Sequence, residues 1–172
     1  MKWFRFTLLI LAVTVISASS LMDVIALTDK HIKPNFLLIL AVFFAMNCDS
    51  YDVIICCFSI GFAADITSTL IGPYFISFGV IGTILSHIRK IILMKKTSQQ
   101  AFAIFVTGIL IQLFAIILMK IKVSNAAVPD FFETVATSAY SAILWFLVKL
   151  PVKATGKWLG VGVHRFGLKP NE

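Results

Sequence analysis

The residue best suited to chemistry in this chain is a carboxylate inside an apolar run. Asp65 ends the segment 61–65, Gly-Phe-Ala-Ala-Asp, among hydrophobic residues. An aspartate at the centre of a membrane helix costs about 3 kcal/mol, so it is expected to face protein or water rather than lipid. Two interpretations stay open. The carboxylate bonds helix-terminal amides near Gly72 or a hydroxyl of residues 67–69, or it contacts a partner or ligand.

Other residues with catalytic or metal-binding chemistry are scattered along the chain. His31, His87 and His164 fall in three separate regions, and the three cysteines lack C-x-x-C spacing. The pair Asp49 and Asp52 is explained by the capping of a following helix. Nucleophile-elbow, P-loop and H-E-x-x-H motifs are missing. The sequence therefore predicts no enzyme, no cofactor and no metal site.

Small residues recur at close helical spacing in two apolar runs. They are Gly79, Gly82 and Ser86 in one run and Thr134, Ser138 and Ala142 in the other. Small side chains let membrane helices approach closely. These faces are predicted either to pack within the domain or to pair with a helix of a partner.

The composition indicates that the bilayer is the solvent of this chain. Hydrophobic residues make up 59% of the 172 residues and charged residues 13%, against roughly 45–50% hydrophobic residues in soluble domains. Long apolar runs without two-residue alternation favour helices over a barrel. The net charge of +7 lies between these runs, which predicts contact with anionic membrane lipids and no nucleic acid.

The apolar runs predict an all-α integral membrane protein with a single polytopic domain over residues 1–172. Six spans are expected, at residues 4–22, 32–48, 53–70, 74–92, 101–119 and 130–150. The first resembles a signal peptide, but an uncleaved span fits the polytopic remainder better. The second has a short apolar core for about 30 Å of hydrocarbon, so a re-entrant hairpin stays open.

Helix-starting and helix-stopping residues mark the span boundaries. Pro34 is predicted to open the second helix and Gly72-Pro73 to end the third and start the fourth. Asp49 or Ser50 is expected to cap the third helix, and Asp130 the sixth. Residues 150–172 are predicted to be an irregular, basic cytoplasmic tail, with Trp158 and Phe166 at the headgroups.

The basic residues predict the orientation. With the N-terminus inside, 11 of the 15 basic residues fall in cytoplasmic segments and 4 in outer segments. The reverse orientation would invert this ratio. The positive-inside rule therefore places both termini in the cytoplasm of a bacterial inner membrane.

The motifs in the first half resemble those of the rod shape-determining protein MreD family. Pro34-Asn35 precedes a leucine-rich run, Gly61 and Asp65 lie in the next span, and Gly72-Pro73 follows before span four. The family tends to have Pro-Leu-Gly after the aspartate, where this chain has Gly72-Pro73-Tyr74. The resemblance covers most of the chain and implies a fold like the substrate-binding subunits (S-components) of energy-coupling-factor transporters.

The resemblance also implies a function. Such proteins are non-enzymatic scaffold subunits of the cell-wall elongation machinery, which controls cell shape and peptidoglycan synthesis. They bind the bitopic protein MreC and, through it, MreB, RodA and the wall transpeptidase. The alternative is a vitamin-type substrate-binding subunit of a transporter. Asp65, Gln112 and Asn35 are too few polar groups within the spans to specify such a ligand pocket.

Overall fold

A computed structural model describes residues 2–19, 34–48, 50–68, 71–91, 97–122 and 131–160, except the side chains of residues 50 and 89–91. These residues form six helices. They are α1 (Trp3–Ala18), α2 (Phe36–Asn47), α3 (Ser50–Ile66), α4 (Pro73–Ile91), α5 (Thr97–Lys122) and α6 (Phe131–Trp158). The predicted helical fold class is confirmed for this part of the chain.

Two of the described helices are long and apolar enough to cross a membrane by length and composition. These are α5, with 26 residues, and α6, with 28, which correspond to about 39 and 42 Å at 1.5 Å per residue. Helices α1 and α2 are apolar but shorter. The count of six spans and the likeness to transporter S-components remain predictions.

Helix α2 is the centre of the bundle. Its residues 37–45 are all buried, and it contacts each of the other five described helices. A helix that is hydrophobic all round is expected to be enclosed on all sides. Its 12 residues cover about 18 Å, so its short apolar run fits a core helix. The full crossing and the re-entrant hairpin both stay predictions.

Helix α1 lies at the edge of the bundle, against α2 and α3. It buries only two described side chains, Phe6 and Leu9. The Phe6 ring meets Phe44 of α2 edge-on, with 5.3 Å between ring centroids, a favourable aromatic geometry. The opposite face of α1 is left exposed.

Several predicted boundaries are corrected by the structure. Helix α2 begins at Phe36 with Asn35 as its cap, so Pro34 precedes the cap and does not open the helix. Helix α5 runs from Thr97 to Lys122, so it begins four residues before the predicted span 101–119 and ends three residues after it. The predicted caps Asp49 and Asp130 lie outside the described residues, whereas Asp52 lies in the first turn of α3 as expected.

The prediction of an irregular tail is wrong for residues 151–158. Helix α6 continues through Pro151 to Trp158. Val152, Gly156 and Leu159 are buried, and a Cβ added at Gly156 would lie 2.7 Å from the Phe43 ring of α2. Packing on α2 therefore outweighs the helix-breaking tendency of proline and glycine. Phe166 lies outside the described residues.

Candidate functional site

The buried carboxylate of Asp65 joins α3 to the start of α4. Asp65 is 0% exposed. Its Oδ1 accepts a hydrogen bond from the Tyr74 amide at 2.9 Å, and its Oδ2 accepts one from the Phe75 amide at 2.8 Å. The first amides of a helix have no partner within the helix and lie at its positive dipole end. Asp65 therefore caps α4 from a neighbouring helix.

Gly61 makes this junction possible by the absence of a side chain. It lies one turn before Asp65 on the same face of α3. A Cβ at Gly61 would lie 2.8 Å from the Tyr74 carbonyl oxygen and 2.9 Å from the Phe75 Cα. These are backbone atoms, so they cannot rotate away. The spacing of Gly61 and Asp65 thus brings the backbone of α4 against α3.

The turn between α3 and α4 completes the junction. Gly72 has a φ of +118°, which side-chain-bearing residues rarely adopt. Pro73 is the first residue of α4, where its missing N–H costs nothing. This agrees with the helix start predicted at Pro73, whereas α3 ends at Ile66, before the stop predicted at Gly72. Gly61, Asp65, Gly72 and Pro73 therefore meet at one place.

A cation from a distant part of the chain also reaches this turn. The Nζ of Lys122, at the end of α5, donates a hydrogen bond to the Ile71 carbonyl at 2.7 Å. No local signal in the sequence indicates this contact, because the two residues are 51 positions apart. The long, flexible lysine side chain makes such a partner impossible to infer from spacing.

The other two residues of the motif lie at a different junction. The Asn35 Oδ1 accepts from the Leu38 amide at 3.0 Å, which caps α2. The Asn35 amide donates to the Ser141 Oγ of α6 at 2.9 Å. Pro34 is buried beside it. Pro34 and Asn35 therefore fix the start of α2 to α6, whereas the Asp65 junction fixes α3 to α4.

The hydroxyls near Asp65 bond backbone carbonyls. Thr67 Oγ1 donates to the Ala64 carbonyl at 2.9 Å, and Ser68 Oγ donates to the Asp65 carbonyl at 3.0 Å. Thr69 lies outside the described residues. The sequence predicted helix-terminal amides or a nearby hydroxyl as structural partners of the Asp65 carboxylate. The structure shows the amides in that role. A further role in partner or ligand contact stays a prediction.

The small-residue faces of α4 and α6 pack within the chain. A Cβ at Gly79 would clash with the Phe58 ring and one at Gly82 with Cys57. A Cβ at Gly108 of α5 would lie 2.8 Å from the Ser138 Oγ. Ser86, Thr134 and Ser138 are buried, and Ala142 is partly buried against the core. These faces therefore join α3 to α4 and α5 to α6.

Among the described residues, no cluster of three or more His, Cys, Asp or Glu side chains could hold a metal ion. His87 Nδ1 lies 3.0 Å from the Thr83 carbonyl of its own helix.

A family model described as rod shape-determining protein MreD matches residues 1–154. This chain belongs to the MreD family. The family consists of membrane proteins that act in rod shape determination. Searches of curated proteins and of solved structures found no significant match. The matched range includes both junctions of this MreD protein.

Proposed function

We propose that this MreD protein is a non-enzymatic scaffold that crosses the inner membrane six times, with both termini in the cytoplasm. It binds the transmembrane segment of an MreC-like bitopic protein. Through that partner it is coupled to MreB, RodA and the transpeptidase, and so to peptidoglycan synthesis. The distribution of basic residues supports this orientation, since most of them fall in the segments assigned to the cytoplasm.

The use of buried polar groups favours a scaffold over a metabolite-binding subunit. Both carboxylate oxygens of Asp65 accept backbone amides. Ser77, Ser86 and Ser138 donate to carbonyls of their own helices. A small-molecule site needs several polar groups that converge on one cavity. These groups instead bond backbone atoms of the chain itself.

One exposed surface carries the proposal. Phe4, Leu8, Leu11 and Val15 of α1 are each more than half exposed. Their spacing of four, three and four residues places them on a single stripe, as in a seam between two helices. We call this surface the α1 stripe. It is flanked by the exposed small residues Thr7 and Ala12, which permit a second helix to approach closely.

We therefore propose the α1 stripe as the partner surface, in place of the small-residue faces of α4 and α6. Those faces are occupied by side chains of this chain. A bulky residue at Gly82 or Ser138 would disturb the fold itself. The α1 stripe can be altered without touching a buried contact.

The test is affinity purification of the tagged protein from native membranes, followed by mass spectrometry. A scaffold is expected to recover an MreC-like bitopic protein at near-stoichiometric yield. Recovery of a transporter ATPase module, with nanomolar binding of a vitamin by the purified protein, would overturn the proposal.

A further inference from the structure

The end of α6 carries a row of three lysines. Lys149, Lys153 and Lys157 recur every four residues, so they lie on one face of the helix. We call them the lysine row. Lys149 Nζ donates a hydrogen bond to Thr97 Oγ1 at the start of α5. The row therefore begins, at Lys149, beside the first turn of α5.

The positive charge of this row has no acidic counterpart in the described part of the chain. No ion pair joins the three lysines to a described carboxylate, and the first turn of α5 contains no acidic residue. Lys153 lies one helical turn from both Lys149 and Lys157. Like charges four residues apart destabilise a helix. An anion bound here would remove that repulsion.

The faces on either side of the row indicate what kind of anion fits. One neighbouring face is buried and includes Val152 and Gly156. The other is apolar and exposed, with Leu147, Leu150 and Trp158. A ligand lying across this boundary would have an anionic head on the lysines and an apolar body on the exposed face. That is the chemistry of an anionic lipid.

The place of the row is fixed by contacts between the ends of α1 and α6. Arg5 Nη1 donates to the Trp158 carbonyl at 2.8 Å, and its guanidinium lies 5.0 Å from the centroid of the Trp158 ring. The Lys2 amide donates to the Leu159 carbonyl at 3.1 Å. This end of α6 is therefore held in place, and the lysines are presented by an ordered helix.

We propose that the lysine row binds the phosphate headgroup of an anionic phospholipid, whose acyl chains lie along the exposed apolar face of α6. This inference rests on the membrane placement given under the proposed function, but not on the identity of the protein partner. The phosphate binds the three lysine ammonium groups, and the acyl chains add apolar contact with α6.

The test uses the full-length protein in detergent and native mass spectrometry of lipid retention. Dioleoylphosphatidylglycerol competes with dioleoylphosphatidylcholine for the wild type and for Lys153→Gln/Lys157→Gln. We expect the preference for phosphatidylglycerol to fall about fivefold for each lysine removed. The matched control, Arg165→Gln/Lys169→Gln, loses the same charge from residues 161–172 and should keep the preference. Lys153→Arg/Lys157→Arg should also keep it.

Equal preference in the wild type and the glutamine variant would overturn the lipid site. So would an equal loss in the two glutamine variants, since that would be an effect of net charge alone. Displacement of the lipid by millimolar inorganic phosphate would identify a free-anion site instead. The Lys153→Gln/Lys157→Gln variant should still capture the protein partner, because the α1 stripe makes that contact. Loss of the lipid preference without loss of partner capture therefore distinguishes the two proposals.

Discussion

At the residue scale, Asp65 shows how a charged group is retained inside an apolar helix. Insertion of aspartate at a helix centre costs about 3 kcal/mol, and Asp65 costs less because it is the second-last residue of α3. Hydrogen bonds to charged groups contribute about 1.5–3 kcal/mol each, and Asp65 accepts two. The two bonds are therefore sufficient to offset the insertion cost. Gly61 is required with Asp65, because only a residue without a side chain admits the backbone of α4 at this distance.

Asp65→Leu is expected to insert normally but to lower stability and impair assembly. The leucine leaves two amides of α4 without acceptors, at about 1–3 kcal/mol for each buried group. Thermal unfolding in detergent can be followed with a thiol-reactive dye, since Cys48, Cys56 and Cys57 are buried. Asp65→Asn keeps one carbonyl acceptor, so its unfolding temperature should lie between those of the wild type and the leucine variant. A leucine variant with wild-type stability that fully supports rod shape would contradict this role.

Gly61→Ala is expected to destabilise the protein more than Gly79→Ala. The new methyl at position 61 meets the backbone of Tyr74 and Phe75, whereas that at position 79 meets the end of the Phe58 ring. A side chain can rotate and the backbone cannot, so overpacking at Gly61 should cost about 1–3 kcal/mol. The same dye assay compares the two variants. Equal unfolding temperatures would show that the α3–α4 contact is looser than described.

At the element scale, local sequence signals predicted some helix ends and missed others. The start of α4 at Pro73 was predictable, because proline acts through its own backbone geometry. The end of α3 at Ile66 lies before the predicted stop at Gly72. The continuation of α6 beyond residue 150 was not predictable, because Pro151 and Gly156 suggest an irregular segment. Its helix is stabilised by burial of Gly156 against Phe43 of α2. That residue is distant in sequence, so the contact has no local signal.

Arg5→Ala is expected to loosen the attachment of α1 to the end of α6. It removes the hydrogen bond to the Trp158 carbonyl and the contact with the Trp158 ring. An exposed cation–π contact contributes about 0.5–1 kcal/mol. Hydrogen exchange should become faster in residues 2–9. Lys120→Ala, which removes an exposed cation from α5, should leave exchange in α1 unchanged. Equal exchange in the wild type and Arg5→Ala would contradict the attachment.

At the scale of the whole molecule, the described helices form a bundle around α2. Two polar residues join pairs of these helices. Asp65 joins α3 to α4, and Asn35 joins α2 to α6. The sequence identified these residues but not their separation into two junctions, since spacing along the chain does not specify which helices become neighbours. The apolar surfaces that remain exposed are those available to lipid and to a partner.

The proposed orientation predicts the labelling of single cysteines in a background without native cysteines. Cysteine at position 30 or 125 should react with an impermeant maleimide in intact cells, and cysteine at position 170 should react only after permeabilisation. The physical reason is the excess of basic residues in the segments assigned to the cytoplasm. Labelling at position 170 but not at position 125 in intact cells would reverse the topology.

The scaffold proposal is tested most directly by photo-crosslinking along the α1 stripe in living cells. A benzophenone amino acid replaces Leu8 or Leu11 on α1, and as matched controls Phe102 or Leu110, which are exposed on α5. The account predicts that the α1 positions crosslink to the transmembrane segment of an MreC-like protein and that the α5 positions do not. Crosslinks to that protein from α5 alone, or from neither helix, would contradict it.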